Sequence, residues 1–212
     1  MSLEARPGMF ITFEGGEGGG KSTQIRTLKT KLETLKHRVV MTREPGGTPE
    51  AEKIRRLLVD RAGGDWSSEA EMLLLFAARA MHVRDLIAPS LADGKTVLSD
   101  RFTDSTRAYQ GYAGGVDLKL IEEIKQISIG ALEPDITFIL DLPAEVGLSR
   151  SNRRHEKGGT TETRFEDREI AFHEKLRQGF LDIAKTNPER CVVIDATQPI
   201  DAVADAIWDH LT

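Results

Sequence analysis

The segment FEGGEGGGKST at residues 13–23 decides the fold, because it follows a short apolar run and leads into a helical pattern. Its core, Gly15 to Ser22, fits the spacing G-x-x-x-x-G-K-[ST]. Glycines at such a turn let backbone N–H groups close around phosphate oxygens, and the helix N-terminus adds a positive dipole end. A plain glycine-rich turn does not require Lys-Ser at this spacing, so the motif predicts a nucleotide-phosphate site.

Two side chains of the motif carry its expected chemistry. Lys21 would reach the β- and γ-phosphates of a bound nucleotide, and the hydroxyl of Ser22 would bind Mg²⁺. Three aspartates end apolar runs and could assist the metal, namely Asp100, Asp141 and Asp195. Asp100 is preferred because Arg101 follows it and places a cation beside the anion, whereas Asp195 is read as structural. The predicted ATP-binding residues are Gly15, Gly16, Glu17, Gly18, Gly19, Gly20, Lys21, Ser22 and Thr23.

The rest of the chain alternates apolar runs with helix-period segments. The apolar runs occupy residues 9–13, 38–42, 96–100, 136–140 and 191–195. The helical patterns occupy roughly 21–36, 50–60, 68–92, 117–129, 144–154, 166–185 and 200–211. This alternation predicts an α/β fold, a doubly wound sheet of five parallel strands with helices on both faces. In such sheets the ligand site lies beyond the carboxyl ends of the strands. The length of 212 residues favours one domain over 1–212.

Composition excludes several classes of protein. Lys+Arg 29 against Asp+Glu 34 gives a net charge of −5, which argues against a general nucleic-acid-coating protein. One cysteine, Cys191, allows no intramolecular disulfide and favours a reducing compartment. The first residues lack a signal-peptide h-region, and the apolar run 72–78 is far shorter than the ~18 residues of a membrane span. We therefore expect a cytoplasmic protein that binds no nucleic acid and no membrane.

Arginines gather near the predicted ligand edge of the sheet. Arg43 and Arg101 directly follow apolar runs, whereas Arg55 and Arg79 lie in helical segments. Each alone is typical of a surface ion pair. Four together fit a second phosphate-bearing ligand, because guanidinium groups match phosphate geometry.

A polar, glycine-rich stretch, HEKGGTTET at 155–163, lies between RSNRR and RFEDRE. It is either a solvated surface loop or a mobile lid over about 150–164. In the second interpretation the lid would carry Arg150, Arg153 and Arg154 into the site.

Five pieces of the chain together resemble the bacterial thymidylate kinases. They are FITFEGGEGGGKST, TREPGGTPEAEKIR, LLLFAARA, SDRFTDSTRAYQGY and RFEDREIAFHEKLRQGFLDIA. The middle three, in this order, are the specific part, and the resemblance extends from Met9 over nearly the whole chain. It implies a P-loop NTPase-type fold and a Mg²⁺-dependent homodimer that transfers a phosphoryl group from ATP to dTMP, giving dTDP and ADP.

The resemblance also implies how the acceptor is held. Arg55 and Arg101 would bind its phosphate, Phe76 would stack on the thymine, and Arg79 would hydrogen-bond the edge of that base. Many relatives place this arginine four residues after the aromatic, whereas here the spacing is three. Both spacings keep the two side chains on one helix face.

Further contacts to dTMP follow from the same resemblance. Thr106 and Gln110 would contact the base, and Tyr109 would crowd the 2′ position and disfavour ribonucleotides. Glu17 would lie near the 3′-hydroxyl, and Glu44 near the metal and the acceptor.

Catalysis in this interpretation needs no general base, because the acceptor phosphate is already largely dianionic. It consists of alignment and charge neutralisation. Many relatives carry R-x-R-x-R in the lid, where this chain has Asn152 at the middle position. The predicted catalytic residues are Lys21, Arg101, Arg150, Arg153 and Arg154.

Two alternatives stay open at the level of the sequence. One is a kinase of another nucleoside monophosphate, such as a uridylate or guanylate kinase, because only the resemblance assigns the contacts to the base. The other is an ATP-dependent switch module without a phosphoryl acceptor, in which the arginines lie on the surface or bind a partner.

Overall fold

The computed structural model describes residues 8–59, 64–156 and 169–212. Five parallel strands form one sheet in the order β2-β3-β1-β4-β5. All five predicted runs are strands to within one residue. The strands are β1 (Phe10–Glu14), β2 (Val39–Arg43), β3 (Thr96–Asp100), β4 (Ile136–Asp141) and β5 (Cys191–Asp195).

Helices surround this sheet in the part of the chain that the structure describes. They are α1 (Lys21–Thr34), α2 (Pro49–Val59), α3 (Ser68–His82), α4 (Ala88–Ala92), α5 (Thr103–Thr106), α6 (Leu118–Ile129), α7 (Ala144–Glu156), α8 (Ile170–Thr186) and α9 (Ile200–Asp209). A π-helical turn over Val83–Ile87 joins α3 to α4, so the predicted segment 68–92 is one helical stretch with a local expansion. None of the described helices is long and apolar enough to cross a membrane.

Apolar side chains on both faces of the sheet explain the two helical layers. The strand β1 is buried along its whole length, as expected for a central parallel strand. On one face, Phe13 and Phe138 pack with the apolar stripes of α1 and α9. On the other face, Ile139 packs with Leu176 and Phe180 of α8. The predicted doubly wound α/β fold is confirmed.

The strand order decides which loops meet. The strand β1 pairs with β3 on one side and β4 on the other, and Phe13 lies in register with Asp100. Arg43 of β2 is also in register with Asp100. The loops after β1, β2 and β3 therefore share one edge of the sheet, next to the point where the strand order reverses.

One helical region was not predicted. Residues 103–113 form α5 and a second π-helical turn over Arg107–Ala113, directly after β3. Helical periodicity is recognised in a sequence when apolar residues are buried and polar residues are exposed. In this segment polar residues are buried as deeply as apolar ones, so the pattern is absent from the sequence. The buried polar side chains are Thr103, Asp104, Ser105, Thr106 and Gln110.

Candidate active site

A cleft of about 530 Å³ opens at the carboxyl edge of the sheet. The glycine-rich loop lines one wall from Glu17 to Thr23, and residues 43–45 with Arg55 line a second. Arg79 of α3 and the region of α5 complete the enclosure. The structure therefore brings the phosphate motif and the acceptor residues expected from the resemblance, Phe76 excepted, into one cavity.

The shape of the loop depends on glycines with positive φ. At Gly15 φ is +121°, and a Cβ there would lie 2.5 Å from the carbonyl oxygen of Leu140. At Gly18 φ is +68°, and a Cβ would run into the backbone of Gly147 in α7. The loop is thus packed between the end of β4 and α7, the helix that leads towards the predicted lid.

Lys21 is the first residue of α1, and its ammonium is buried inside the loop. Its Nζ donates hydrogen bonds to the carbonyl oxygens of Gly15 at 3.0 Å and Gly16 at 2.8 Å. Burial, and then the nearby Arg101, lower the pKa of the Lys21 ammonium. The positive charge is therefore held at the wall of the cleft with little water around it, where an anion would be bound strongly.

The three candidate aspartates for a metal have different partners in the structure. Ser22 Oγ donates to Asp100 Oδ2 at 2.8 Å. Asp141 instead pairs with Arg177 through two hydrogen bonds, and Asp195 accepts from Thr197 within a turn. No set of three or more His, Cys, Asp or Glu side chains among the described residues could hold a metal ion. A hydroxyl with one carboxylate suits Mg²⁺, which takes its other ligands from water and nucleotide phosphates.

Arg101 connects the glycine-rich loop to the unpredicted helical region. Its backbone has φ +72°, which is uncommon for a residue with a side chain, and its N–H donates to the Phe13 carbonyl oxygen at 2.9 Å. The guanidinium donates to Gly15 O at 3.1 Å, Glu17 Oε1 at 2.7 Å and Tyr109 Oη at 3.0 Å. Burial opposes the charge, but the surrounding Tyr109 and acidic groups outweigh it and raise the pKa of Arg101.

Tyr109 and Glu17 form a second contact across the same junction. Tyr109 Oη donates to Glu17 Oε1 at 2.8 Å, beside the bond from Arg101. Burial raises the pKa of the Tyr109 phenol well above its usual value, so it remains a donor at neutral pH. The ring is thereby held rigidly at the cleft wall.

Arg79 is 2% exposed and is held by three acceptors. Its Nε donates to Glu44 Oε2 at 2.7 Å, while Nη2 donates to Phe102 O at 3.1 Å and Thr106 Oγ1 at 3.0 Å. Burial would raise the pKa of Glu44, but Arg79 and His82 outweigh it and lower that pKa. Within the part of the chain that the structure describes, Arg79 Nη1 has no hydrogen-bond partner, so one donor remains for a ligand.

His82, which the sequence indicates only as a helical residue, completes the support of Arg79. Its Nδ1 lies 2.9 Å from Glu44 Oε1, and its Nε2 lies 2.7 Å from Thr42 Oγ1. A carboxylate accepts, so Nδ1 carries the proton in this arrangement. The chain from the end of β2 through His82 and Glu44 therefore fixes the guanidinium that faces the cleft.

Phe76 does not line the cleft, contrary to the stacking role implied by the resemblance. Its side chain is 2% exposed and packs with Met72, Val116 and Ile121, and the guanidinium of Arg79 lies 4.8 Å from its ring centroid. Leu75, four residues before Arg79, lines the cleft instead. Neighbouring helical residues point about 100° apart, so a shift of one position separates a wall residue from a core residue.

The remaining acceptor residues lie at the cleft in different environments. Arg55 Nη1 donates to the carbonyl oxygen of Pro45 at 2.6 Å, which turns the guanidinium along the wall. Arg43 is exposed and pairs with Glu52 at 3.2 Å. Gln110 is buried at the base of the cleft, where its Nε2 donates to the Glu71 carboxylate of α3.

Glu14, the last residue of β1, is a buried group that sequence reasoning missed. It accepts from the backbone of Phe102 at 2.7 Å and from Ser105 Oγ at 2.5 Å. Burial, and then the charge of Asp104, raise the pKa of Glu14 to about 7. Its position directly before the glycine-rich loop was the available signal, since a carboxylate that ends a buried strand needs a partner.

The predicted lid is described only in part. Arg150 Nη1 donates to Ala196 O at 2.9 Å, and Arg153 donates to Ser149 of its own helix at 3.2 Å and 3.4 Å. The side chain of Arg154 and all of residues 157–168 lie outside the described part. Arg150 therefore connects α7 to the loop after β5, on the far side of the glycine-rich loop from the acceptor arginines.

Comparisons with known proteins agree with this geometry. The family model described as thymidylate kinase matches residues 13–207. A thymidylate kinase of Caulobacter vibrioides is 54% identical over 202 residues, covering 95% of both chains, and one of Syntrophotalea carbinolica is 47% identical over 200 residues, covering 94% of this chain and 93% of the other. The crystal structure of a thymidylate kinase from Ehrlichia chaffeensis is 38% identical and superposes with a TM-score of 0.78, covering 97% of this chain and 100% of that one. The chain belongs to the thymidylate kinase family and is a kinase.

Proposed function

We propose that this chain transfers the terminal phosphoryl group of ATP to dTMP, giving dTDP and ADP. The observation that carries the proposal is the position of Arg101. Its guanidinium is bonded to Gly15 and Glu17 of the glycine-rich loop and to Tyr109 of the opposite wall. A cation that belongs to both walls lies where a donor and an acceptor phosphate would meet.

The reaction follows from alignment and charge. A phosphate monoester is largely dianionic near neutral pH, so its oxygen attacks without a general base. Lys21 would neutralise the phosphates of ATP. Arg55 and Arg101 would hold the acceptor phosphate in place against the repulsion between the two negatively charged substrates. Burial of Lys21 strengthens its interaction with an anion, because the local dielectric is low.

Binding of Mg²⁺ is part of the proposal. Ser22 and Asp100 would hold the ion, and their contact of 2.8 Å places a hydroxyl and a carboxylate side by side at the strand end. When bound, such an ion neutralises phosphate charge and orients the transferred group. Glu44 lies on the opposite wall, bound to Arg79, and orients that arginine.

Acceptor selection would come from the wall formed by α3 and residues 103–113. Arg79, Thr106 and Gln110 would contact the thymine, and Leu75 takes the apolar role first expected of Phe76. Tyr109, held by Glu17 and Arg101, would crowd a 2′-hydroxyl and so favour a deoxyribose. Glu17 would lie near the 3′-hydroxyl of that sugar.

The proposal also covers domain organisation, cellular location and oligomeric state. We propose that residues 1–212 form one domain that works in the cytoplasm as a homodimer. Large apolar side chains exposed on α3 and α6, Leu73 at 53% and Ile127 at 81%, support association of two copies. Sedimentation equilibrium of the full chain tests the proposed homodimer, and a monomer at micromolar concentration would contradict it.

The activity is tested by a coupled assay with ATP, Mg²⁺ and a panel of monophosphates, namely dTMP, dUMP, dCMP, UMP and GMP. We expect ADP release that depends on dTMP and exceeds that with the other acceptors. Greater turnover of UMP or GMP would favour a different monophosphate kinase. Slow ATP hydrolysis that no acceptor changes would favour a switch module.

A further inference from the structure

Glu71 and Gln110 form a buried pair at the base of the cleft. Glu71 lies in the first turn of α3, and Gln110 lies in the π-helical turn after α5, 39 residues further along the chain. Gln110 Nε2 donates to Glu71 Oε2 at 2.9 Å, and the residues are 1% and 3% exposed, respectively. Because water does not compete for either group, this hydrogen bond orients the amide firmly.

The carboxylate of Glu71 sets the direction of the amide. A carboxylate oxygen accepts hydrogen bonds, and Gln110 presents its nitrogen to Glu71. The first turn of α3 favours a negative charge, because the helix N-terminus carries positive partial charge. The carbonyl oxygen of Gln110 is therefore the end of the amide left for another partner.

That oxygen has a matching neighbour. Gln110 Oε1 and Arg79 Nη1 are both buried and have no hydrogen-bond partner among the described residues, and both residues line the cleft. Thr106, one helical turn before Gln110, accepts from Arg79 at 3.0 Å, so the two unpaired groups belong to one corner of the cleft. This corner offers one group that only donates and one that only accepts.

The hydrogen-bonding edge of thymine complements such a pair, and that of cytosine opposes it. Thymine presents the N3–H donor beside the O4 acceptor, whereas cytosine presents an N3 acceptor beside the N4 amino donor. Cytosine would therefore place a donor against Arg79 and an acceptor against the oxygen of Gln110. Buried polar groups that stay unpaired in this way discriminate strongly between ligands.

We infer that Glu71 is a positioning residue that holds the Gln110 amide oxygen towards the base and so selects a pyrimidine nucleotide with an N3–H over a cytosine nucleotide. The inference rests on the proposed function for the identity of the site. It adds that the discrimination originates in a carboxylate that contacts no substrate.

The test compares Glu71→Gln with Glu71→Asp. The first keeps the size of the side chain but can both donate and accept, so the Gln110 amide is free to turn over. The second remains an acceptor only. We expect the ratio of kcat/KM for dTMP over dCMP to fall by tenfold or more in Glu71→Gln, with dCMP use rising and the KM for ATP unchanged. In Glu71→Asp the ratio should stay within about threefold of the parent.

A matched control removes the same charge from the same helix. Glu69→Gln lies two residues away on the exposed face of α3 and should keep the parental ratio. An unchanged ratio in Glu71→Gln, or an equal fall for both nucleotides, would overturn the inference. If Glu71→Gln fails to melt cooperatively, Glu71→Met provides the decision, because it removes both carboxylate oxygens without changing volume much and must lower the ratio as well.

Calorimetric dissociation constants for dTMP and dCMP separate this inference from the proposed function. They require no turnover. A parent protein that does not phosphorylate dTMP would refute the proposed function. The ratio of the two dissociation constants in the parent, Glu71→Gln and Glu71→Asp would still confirm or refute the role of Glu71.

Discussion

The guanidinium of Arg101 donates through Nη2 to Glu17 Oε1 at 2.7 Å, so the carboxylate of the glycine-rich loop is already paired with the arginine at the acceptor wall. Glu17 is an anion within a loop built to bind anions. It therefore cannot supply the positive charge that phosphoryl transfer needs, and cations must come from Lys21, from Arg101 and from outside the loop.

Replacement of Lys21 by Ala should lower kcat by at least tenfold while the fold persists. Among the described residues, the ammonium donates hydrogen bonds to the carbonyl oxygens of Gly15 and Gly16. Its loss removes the positive charge where the phosphates would bind. Steady-state kinetics and circular dichroism check both parts. Lys29→Ala, on the exposed side of α1, is the control, and a Lys21→Ala enzyme that keeps more than about a tenth of kcat would contradict the role, since tenfold is only ~1.4 kcal/mol of barrier.

Replacement of Arg79 by Ala should raise the KM for dTMP on the order of ten- to a hundredfold and leave the KM for ATP nearly unchanged. A charge-assisted hydrogen bond is worth about 1.5–3 kcal/mol, and in the proposed site dTMP, not ATP, would contact this side chain. The variant should also melt earlier, because Glu44 loses its buried partner. Arg84→Ala, an exposed neighbour along the chain, serves as control, and equal losses in both KM values would mean that Arg79 only holds α3 in place.

Glu14 should make the stability of the protein depend on pH between about 4.5 and 7. Burial, with Asp104 adding to it, raises its folded-state pKa to about 7, so the unfolded chain releases this proton first as pH rises. The stabilisation is complete below the ordinary pKa and is lost as pH approaches 7, at most about 1.4 kcal/mol per pH unit.

Urea unfolding of the parent and of Glu14→Gln across pH 5–8 measures this effect. The difference in the free energy of unfolding should shift in favour of Glu14→Gln as pH rises, because glutamine does not titrate. Glu33→Gln, exposed on α1, should run parallel to the parent. Parallel curves for Glu14→Gln would show that the raised pKa is wrong.

Removal of Arg150, Arg153 and Arg154 together should lower kcat by about 10³ or more with little change in the KM for dTMP. An arginine delivered to the transferring phosphoryl contributes ~10³–10⁵, and its contact is made mainly in the transition state. Among single variants we expect Arg154→Ala to have the largest effect, since Arg153 bonds to Ser149 of its own helix. Steady-state kinetics of the single and triple variants test this, with Lys175→Ala as the control. A triple variant whose kcat lies within about tenfold of that of the parent would mean that these arginines do not stabilise the transition state.

Local patterns explain the part of the fold that was predictable. The five strands lie within one residue of their predicted positions, because a buried strand is a short apolar run whatever its neighbours are. The helical region 103–113 escaped prediction because Asp104 and Ser105 are buried by partners elsewhere in the chain. When the hydrogen-bond partner of a buried polar residue lies far away in the sequence, the local pattern wrongly predicts that the residue is exposed.

The sequence by itself determined the phosphate motif, the alternation of strands and helices and the membership of a kinase family, because these depend on residues adjacent along the chain. Only the tertiary structure decided that Asp100 meets Ser22, that Leu75 replaces Phe76 at the cleft, and that Glu71 orients Gln110. These contacts join residues 39 or more positions apart, or depend on which side of a helix faces the cleft. Strand order and side-chain packing determine these contacts, and neither can be predicted from the periodicity of a local sequence segment.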